Sequence, residues 1–131
     1  MSERTRQGDL IKLSDSDRTL KDPSQDLRDK DAYDSKGEHI GTVEHLYMDR
    51  QTKEVRYLGV GVGGFLGMGE KHFLLPLEAI ADVSDDRVTL NQEREKITGS
   101  PDYDPGVAPT PDYQRGLYDY YGYPYPGWVY W

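Results

Sequence analysis

Cysteine is absent from this 131-residue chain, which excludes disulfide frameworks, thiolate nucleophiles and thiolate zinc sites together. Long apolar runs are absent too. No stretch approaches the roughly 18 consecutive apolar residues that a membrane-crossing helix needs. The opening MSERTRQGDLIKL has none of the apolar character of a signal peptide. The expectation is a cytoplasmic protein with no membrane span. Positive charge is also scarce: 16 Lys and Arg stand against 24 Asp and Glu, a formal net charge of −8. A non-specific grip on nucleic acid needs basic side chains gathered on one face, and so does attraction to an anionic membrane. Both partners are disfavoured.

What is present is unevenly spread. Residues 1–30 hold seven basic and seven acidic side chains, residues 31–100 eight and thirteen, and residues 101–131 one and four. Apolar residues mix with polar ones mainly over residues 31–90, so one small core is expected. A core of that size leaves only a few kcal/mol of net stability, which favours support from oligomerisation or a docked tail.

The central segment reads as strands. Asp34-Ser35-Lys36-Gly37 separates two extended runs, and Gly37 suits a positive-φ turn position. Residues 38–49 carry Ile40, Val43, Leu46 and Met48, a spacing that also fits one helix face. Gly41, Thr42 and the flanking turns favour a strand, with Gly41 marking a bulge. Residues 54–62 alternate cleanly, with Leu58, Val60 and Val62 on one face and Val55, Tyr57, Gly59 and Gly61 on the other. Those two glycines leave room for a backbone or a ring to approach. Gly63, Gly64 and Gly67 read as structural turn glycines, the first two at φ > 0. A further strand follows over residues 71–77, interrupted at Pro76, and a short one over 87–90. Residues 91–97 suggest a short helix, with Asn91 as N-cap and Gly99 ending it. Leu10 and Leu13 either add an edge strand or lie on the barrel.

Past Ser100 the composition changes to proline-rich linker, PDYDPGVAPTPDY. Then seven tyrosines and two tryptophans crowd the nineteen residues 113–131. Tyr and Trp each bury about 150–250 Å² and keep a polar handle, which suits them to interfaces. Tyr113, Tyr118, Tyr120, Tyr121, Tyr123, Tyr125, Trp128, Tyr130 and Trp131 are therefore the candidate contact residues. The plain alternatives are a free low-complexity tail or one folded over its own barrel.

Chemistry is harder to find. Gly59, Gly61 and Gly64 satisfy G-x-G-x-x-G with Asp82 downstream, but no amphipathic helix follows to hold a pyrophosphate. His39, His45 and His72, with Glu38 and Glu44 nearby, make a metal site conceivable. No H-x-H or H-E-x-x-H pair occurs, so exposed strand histidines are the preferred reading. The acidic clusters lack the pattern of a calcium loop. No catalytic, cofactor or metal residue is assigned, and no enzyme is expected.

The run DAYDSKGEHIGTVEHLYMDRQTKEVRYLGVGVGGFLGMGEKHFLLPLEAI resembles the PRC-barrel domain. The matching features are Asp34, Gly37, Ile40, Gly41, Val43, Tyr47 and Asp49, then V-R-Y-L, G-G-F-L-G and L-P-L-E-A-I. The resemblance implies a mostly β, closed antiparallel barrel of about six strands used for protein contacts, without catalytic residues. It divides the chain into a polar arm (1–26), the barrel domain (27–98), a linker (99–112) and the aromatic tail (113–131). The expected function is a non-enzymatic interaction or assembly module, a homo-oligomer or a subunit of a larger assembly, akin to the small soluble members expected to act as adaptors or in stress responses. The alternatives are an RNA- or ribosome-associated factor, like the ribosome maturation factor that shares the domain, and an accessory subunit of a reaction centre.

Overall fold

The computed structural model describes residues 10–13, 26–50, 52–65, 69–101, 103–106 and 108–124. Among the described residues seven strands appear in chain order: β1 Leu10–Lys12, β2 Asp31–Tyr33, β3 His39–Asp49, β4 Val55–Phe65, β5 Gly69–Pro76, β6 Ile80–Val83 and β7 Arg87–Leu90. A 3-10 turn, Leu77–Ala79, joins β5 to β6, and two helices follow, α1 Arg94–Thr98 and α2 Pro111–Tyr121.

Six strands form one path, β5-β4-β3-β2-β7-β6, curled into a half-barrel, while β1 pairs with the far end of β3. The expected mostly β architecture of about six strands is present and is consistent with a PRC-type barrel, but as a half-barrel with one parallel pair where a closed antiparallel barrel is expected. Neighbours are antiparallel except β2 and β7, which run parallel. Among the described residues the ends of the path, β5 and β6, are not paired with each other, so there the sheet is curled without ladder closure.

Cross-strand register explains the core. Val43, Val60 and Phe73 face one another across β3, β4 and β5, and Leu46, Leu58 and Leu75 form the next row. Paired residues share a face, so each row points inward as one apolar layer. Five of these six are fully buried and Phe73 nearly so. Each such side chain contributes about 1.5–3 kcal/mol when buried.

The turn between β2 and β3 is pinned by Asp34. Its carboxylate accepts from the backbone N–H of Lys36 (3.0 Å), Glu38 (2.9 Å) and Arg94 (3.2 Å). The last bond ties the turn to the start of α1. Burial raises the Asp34 pKa, the three N–H donors lower it more, and the net direction is down. Gly37 completes the turn at φ 83°.

Several sequence expectations need correction. β4 continues as extended strand through Gly63 and Gly64 to Phe65. Gly63 does not adopt positive φ, and a Cβ there would meet nothing within 4 Å. It is a strand residue, not a turn glycine. Gly67 lies outside the described residues. Gly41 lies where β2 and β3 slip register, and a Cβ on it would overlap the carbonyl oxygen of Gly61 across the ladder. Pro76 is the last residue of β5. The helix expected over 91–97 begins at Arg94, with Glu93 in the cap position. Asn91 instead donates from Nδ2 to the Glu78 carbonyl (2.9 Å). The boundary drawn between linker and tail at 112/113 falls inside α2, a second helix that was not anticipated.

Candidate functional site

Gly59 and Gly61 leave a gutter on the outer face of β3, β4 and β5, because a strand glycine puts no side chain above the sheet. The flanking residues come from register: His45 lies opposite Gly59 on β3, and His72 and Leu74 lie opposite Gly61 and Gly59 on β5. Three different groups fill this gutter along its length.

At one end sits α2. Thr110 caps it by accepting from the Tyr113 N–H (3.1 Å), Pro111 opens it, and Gly122 closes it at φ 77°. Gln114, Leu117, Tyr118 and Tyr121, spaced to share one helix face, are all buried. The Tyr57 hydroxyl donates to Gln114 Oε1 (3.0 Å), and the Tyr118 hydroxyl donates to Glu78 Oε1 (2.6 Å). The rings of Tyr57 and Tyr118 meet edge to face at 6.3 Å. Tyr123 stacks on Tyr121 at 5.9 Å, accepts from Gln92 and donates to Asn91. Burial, the largest cause in each case, pushes the phenols of Tyr57, Tyr118 and Tyr121 well above their ordinary range.

Of the nine aromatic residues expected to make contacts, the structure brings Tyr118 and Tyr121 into the barrel's own core. Tyr113, Tyr120 and Tyr123 pack half-buried against that core. Tyr113 donates to the Pro101 carbonyl, and Tyr120 to that of Lys96, whose ammonium lies 4.2 Å from the Tyr120 ring centroid. Tyr125, Trp128, Tyr130 and Trp131 lie outside the described residues. The signal for α2 was in the sequence, in the T-P start, the G end and the 114/117/118/121 spacing.

In the middle of the gutter, the Tyr103 hydroxyl approaches Gly59, where a Cβ would lie 3.2 Å from it, and shares a 2.6 Å hydrogen bond with Tyr47. Burial raises the Tyr103 pKa, with Tyr47 adding to the shift. Beside it is an open depression of about 390 Å³ lined by Lys71, His72, Phe73, Tyr103, Asp104 and Pro105.

The other end is polar. A register slip between Val43 and His45 makes Glu44 the extra residue of a bulge, which turns two consecutive residues toward one face. His72 Nε2 lies 2.7 Å from Glu44 Oε1 and 3.4 Å from Glu70 Oε1. The His45 and His72 rings are 5.8 Å apart. One donor atom from each of Glu44, His45 and His72 lies within 4.8 Å of the others. Burial, and then the hydrogen bond to and charge of Glu44, raise the Glu70 pKa, while His72 lowers it. The sequence offered His45, His72 and Glu44 among its conceivable metal residues but favoured exposed histidines; the two are half-buried, and the bulge and the ladder, not a linear motif, bring them together and add Glu70. His39 stands apart, 3.3 Å from Asp31.

Residues 22–97, more than half of the chain, match the family model described as the PRC-barrel domain. No curated protein matches the chain.

Proposed function

This chain belongs to the PRC-barrel domain family, and on that premise we propose that it is a non-enzymatic assembly module that joins copies of itself through the aromatic end of its chain. The family points to a small interaction module and is generally non-catalytic. One observation carries the finer reading: α2 is anchored on its own barrel by Leu117, Tyr118 and Tyr121. The helix therefore serves as cover, and the chain leaves it at the exposed Pro124. Tyr125, Trp128, Tyr130 and Trp131 follow directly in sequence. Among the described residues only Val83, 44% exposed, is a large hydrophobic side chain open to solvent. The described barrel surface thus offers little apolar area for a partner, whereas the sequence past Pro124 is rich in the aromatic residue types that favour interfaces. No helix of the described residues is long and apolar enough to cross a membrane, and we place the module in the cytoplasm.

The test is absolute mass by light scattering on the full chain and on a version ending at Pro124, which keeps α2. An oligomer that becomes a monomer on truncation is the expected result. Two monomers, or two oligomers of equal copy number, would overturn it.

A further inference from the structure

We infer that Glu44, His45 and His72, with Glu70 beside them, form a binding site for one divalent transition-metal ion of the zinc class. An ordinary surface ion pair needs one carboxylate and one imidazole. Here two carboxylates converge on one imidazole, with a second imidazole alongside. Like charges brought together cost energy unless a proton or a cation lies between them, and a metal ion can take that place.

The fold builds the convergence from three strands. The β3 bulge turns Glu44 and His45 to the same face, and β5 supplies Glu70 and His72. Between them Gly61 of β4 provides the space. A Cβ on Gly61 would lie 2.5 Å from Glu70 Oε2 and 2.7 Å from Glu44 Oε2, so any larger residue would fill the cradle both carboxylates occupy. An ion held here would staple β3 to β5 across β4.

Geometry and donor type name the ion. Zinc holds imidazole nitrogen and carboxylate oxygen at about 2.0–2.2 Å, which sets neighbouring donors roughly 3.3 Å apart. The donors already lie within 4.8 Å of one another, on half-buried side chains, and rotation of side-chain ends closes the difference. Two imidazoles with carboxylates suit zinc, copper or nickel, whereas magnesium and calcium prefer all-oxygen sets. His72 also lines the open depression beside Tyr103, so the ion would be reachable from solvent.

The test is calorimetric titration of the untagged full-length chain with zinc chloride, and separately with magnesium chloride. The visible spectrum of the cobalt(II) complex and the melting temperature with and without zinc serve as further readouts. Expected are one equivalent of zinc, no saturable magnesium binding, a higher melting temperature with zinc, and a cobalt spectrum distinct from that of the aqua ion. His72→Ala and Glu44→Gln should each weaken zinc at least about tenfold, the size that even outer-shell changes reach. Gly61→Ala keeps every ligand yet should weaken binding by crowding the carboxylates, and His39→Ala should change nothing. The inference falls if the full chain binds no zinc saturably, if affinity survives both His72→Ala and Glu44→Gln, or if His39→Ala abolishes it. Should the ligand variants fail to fold, the cobalt spectrum of the unaltered chain decides: the aqua-ion spectrum unchanged by protein would overturn the site.

Discussion

Gly41 and Gly63 stand almost side by side in the β3–β4 ladder, since Gly41 pairs with Val62, yet their surroundings differ completely. A Cβ on Gly41 would overlap the backbone carbonyl of Gly61, and a backbone atom cannot swing aside as a side-chain end can. A Cβ on Gly63 would enter open space on a strand with ordinary φ. Gly41→Ala should therefore cost about 1–3 kcal/mol, in the range of overpacked cores. Gly63→Val should stay within about 0.5 kcal/mol, because a β-branched side chain suits an exposed strand position. Urea melts of both variants check this, and equal losses would refute it. Sequence showed a glycine-dense segment but not which glycine was crowded. Crowding is set by a neighbouring strand twenty residues away, and no local pattern encodes it. Asp34 teaches the same lesson: its turn was legible, its bond to the Arg94 N–H sixty residues on was not.

At the level of elements, β4 and β7 were legible because alternation survives in them, as Leu58-Val60-Val62 and as Val88 and Leu90, whereas the bulged β3 also fitted a helix face and β6 was not read as a strand. The helix α2 was not legible either, although its caps were in plain view. Proline-rich flanks, Gly116 in its middle and a run of tyrosines gave it the composition of a linker and a tail. What makes it a helix is burial of one face against the barrel, the tertiary support that short helices depend on. That account ranks its side chains. Leu117 is fully buried, so Leu117→Ala should cost about 2–5 kcal/mol. Tyr118→Phe keeps the ring against Tyr57 and loses the bond to the Glu78 carboxylate, about 1.5–3 kcal/mol. Thermal unfolding of the two variants measures both. A neutral Leu117→Ala would mean that α2 does not cover the barrel in solution.

The molecule as a whole joins a family-type half-barrel, readable from ordered motifs between Asp34 and Ile80, to an aromatic cover and a polar cluster assembled only by three-dimensional register. The cover gives the whole chain a distinctive response to alkali. Tyr57, Tyr103, Tyr118 and Tyr121 have phenol pKa values raised in the folded state, first by burial and then by neighbouring phenols and by Glu78. A group whose folded pKa lies above its unfolded value, about 10 for tyrosine, contributes stability that is fully present below pH ~10. That stability drains away as pH rises above the unfolded value, because only the unfolded chain can release the proton. The four phenols act in the same direction, so the loss is steep and the fold should fail cooperatively on the alkaline side. Tyrosinate absorbance followed together with far-ultraviolet circular dichroism, on one sample titrated upward from pH 8, reads this directly. A late-ionising set of phenols should appear only as the β signal disappears, and refolding on return to pH 8 should reprotonate them together. Complete ionisation near pH 10 with the β signal intact would show that α2 and Tyr103 leave these rings open to solvent, and the cis-docked cover would have to be abandoned.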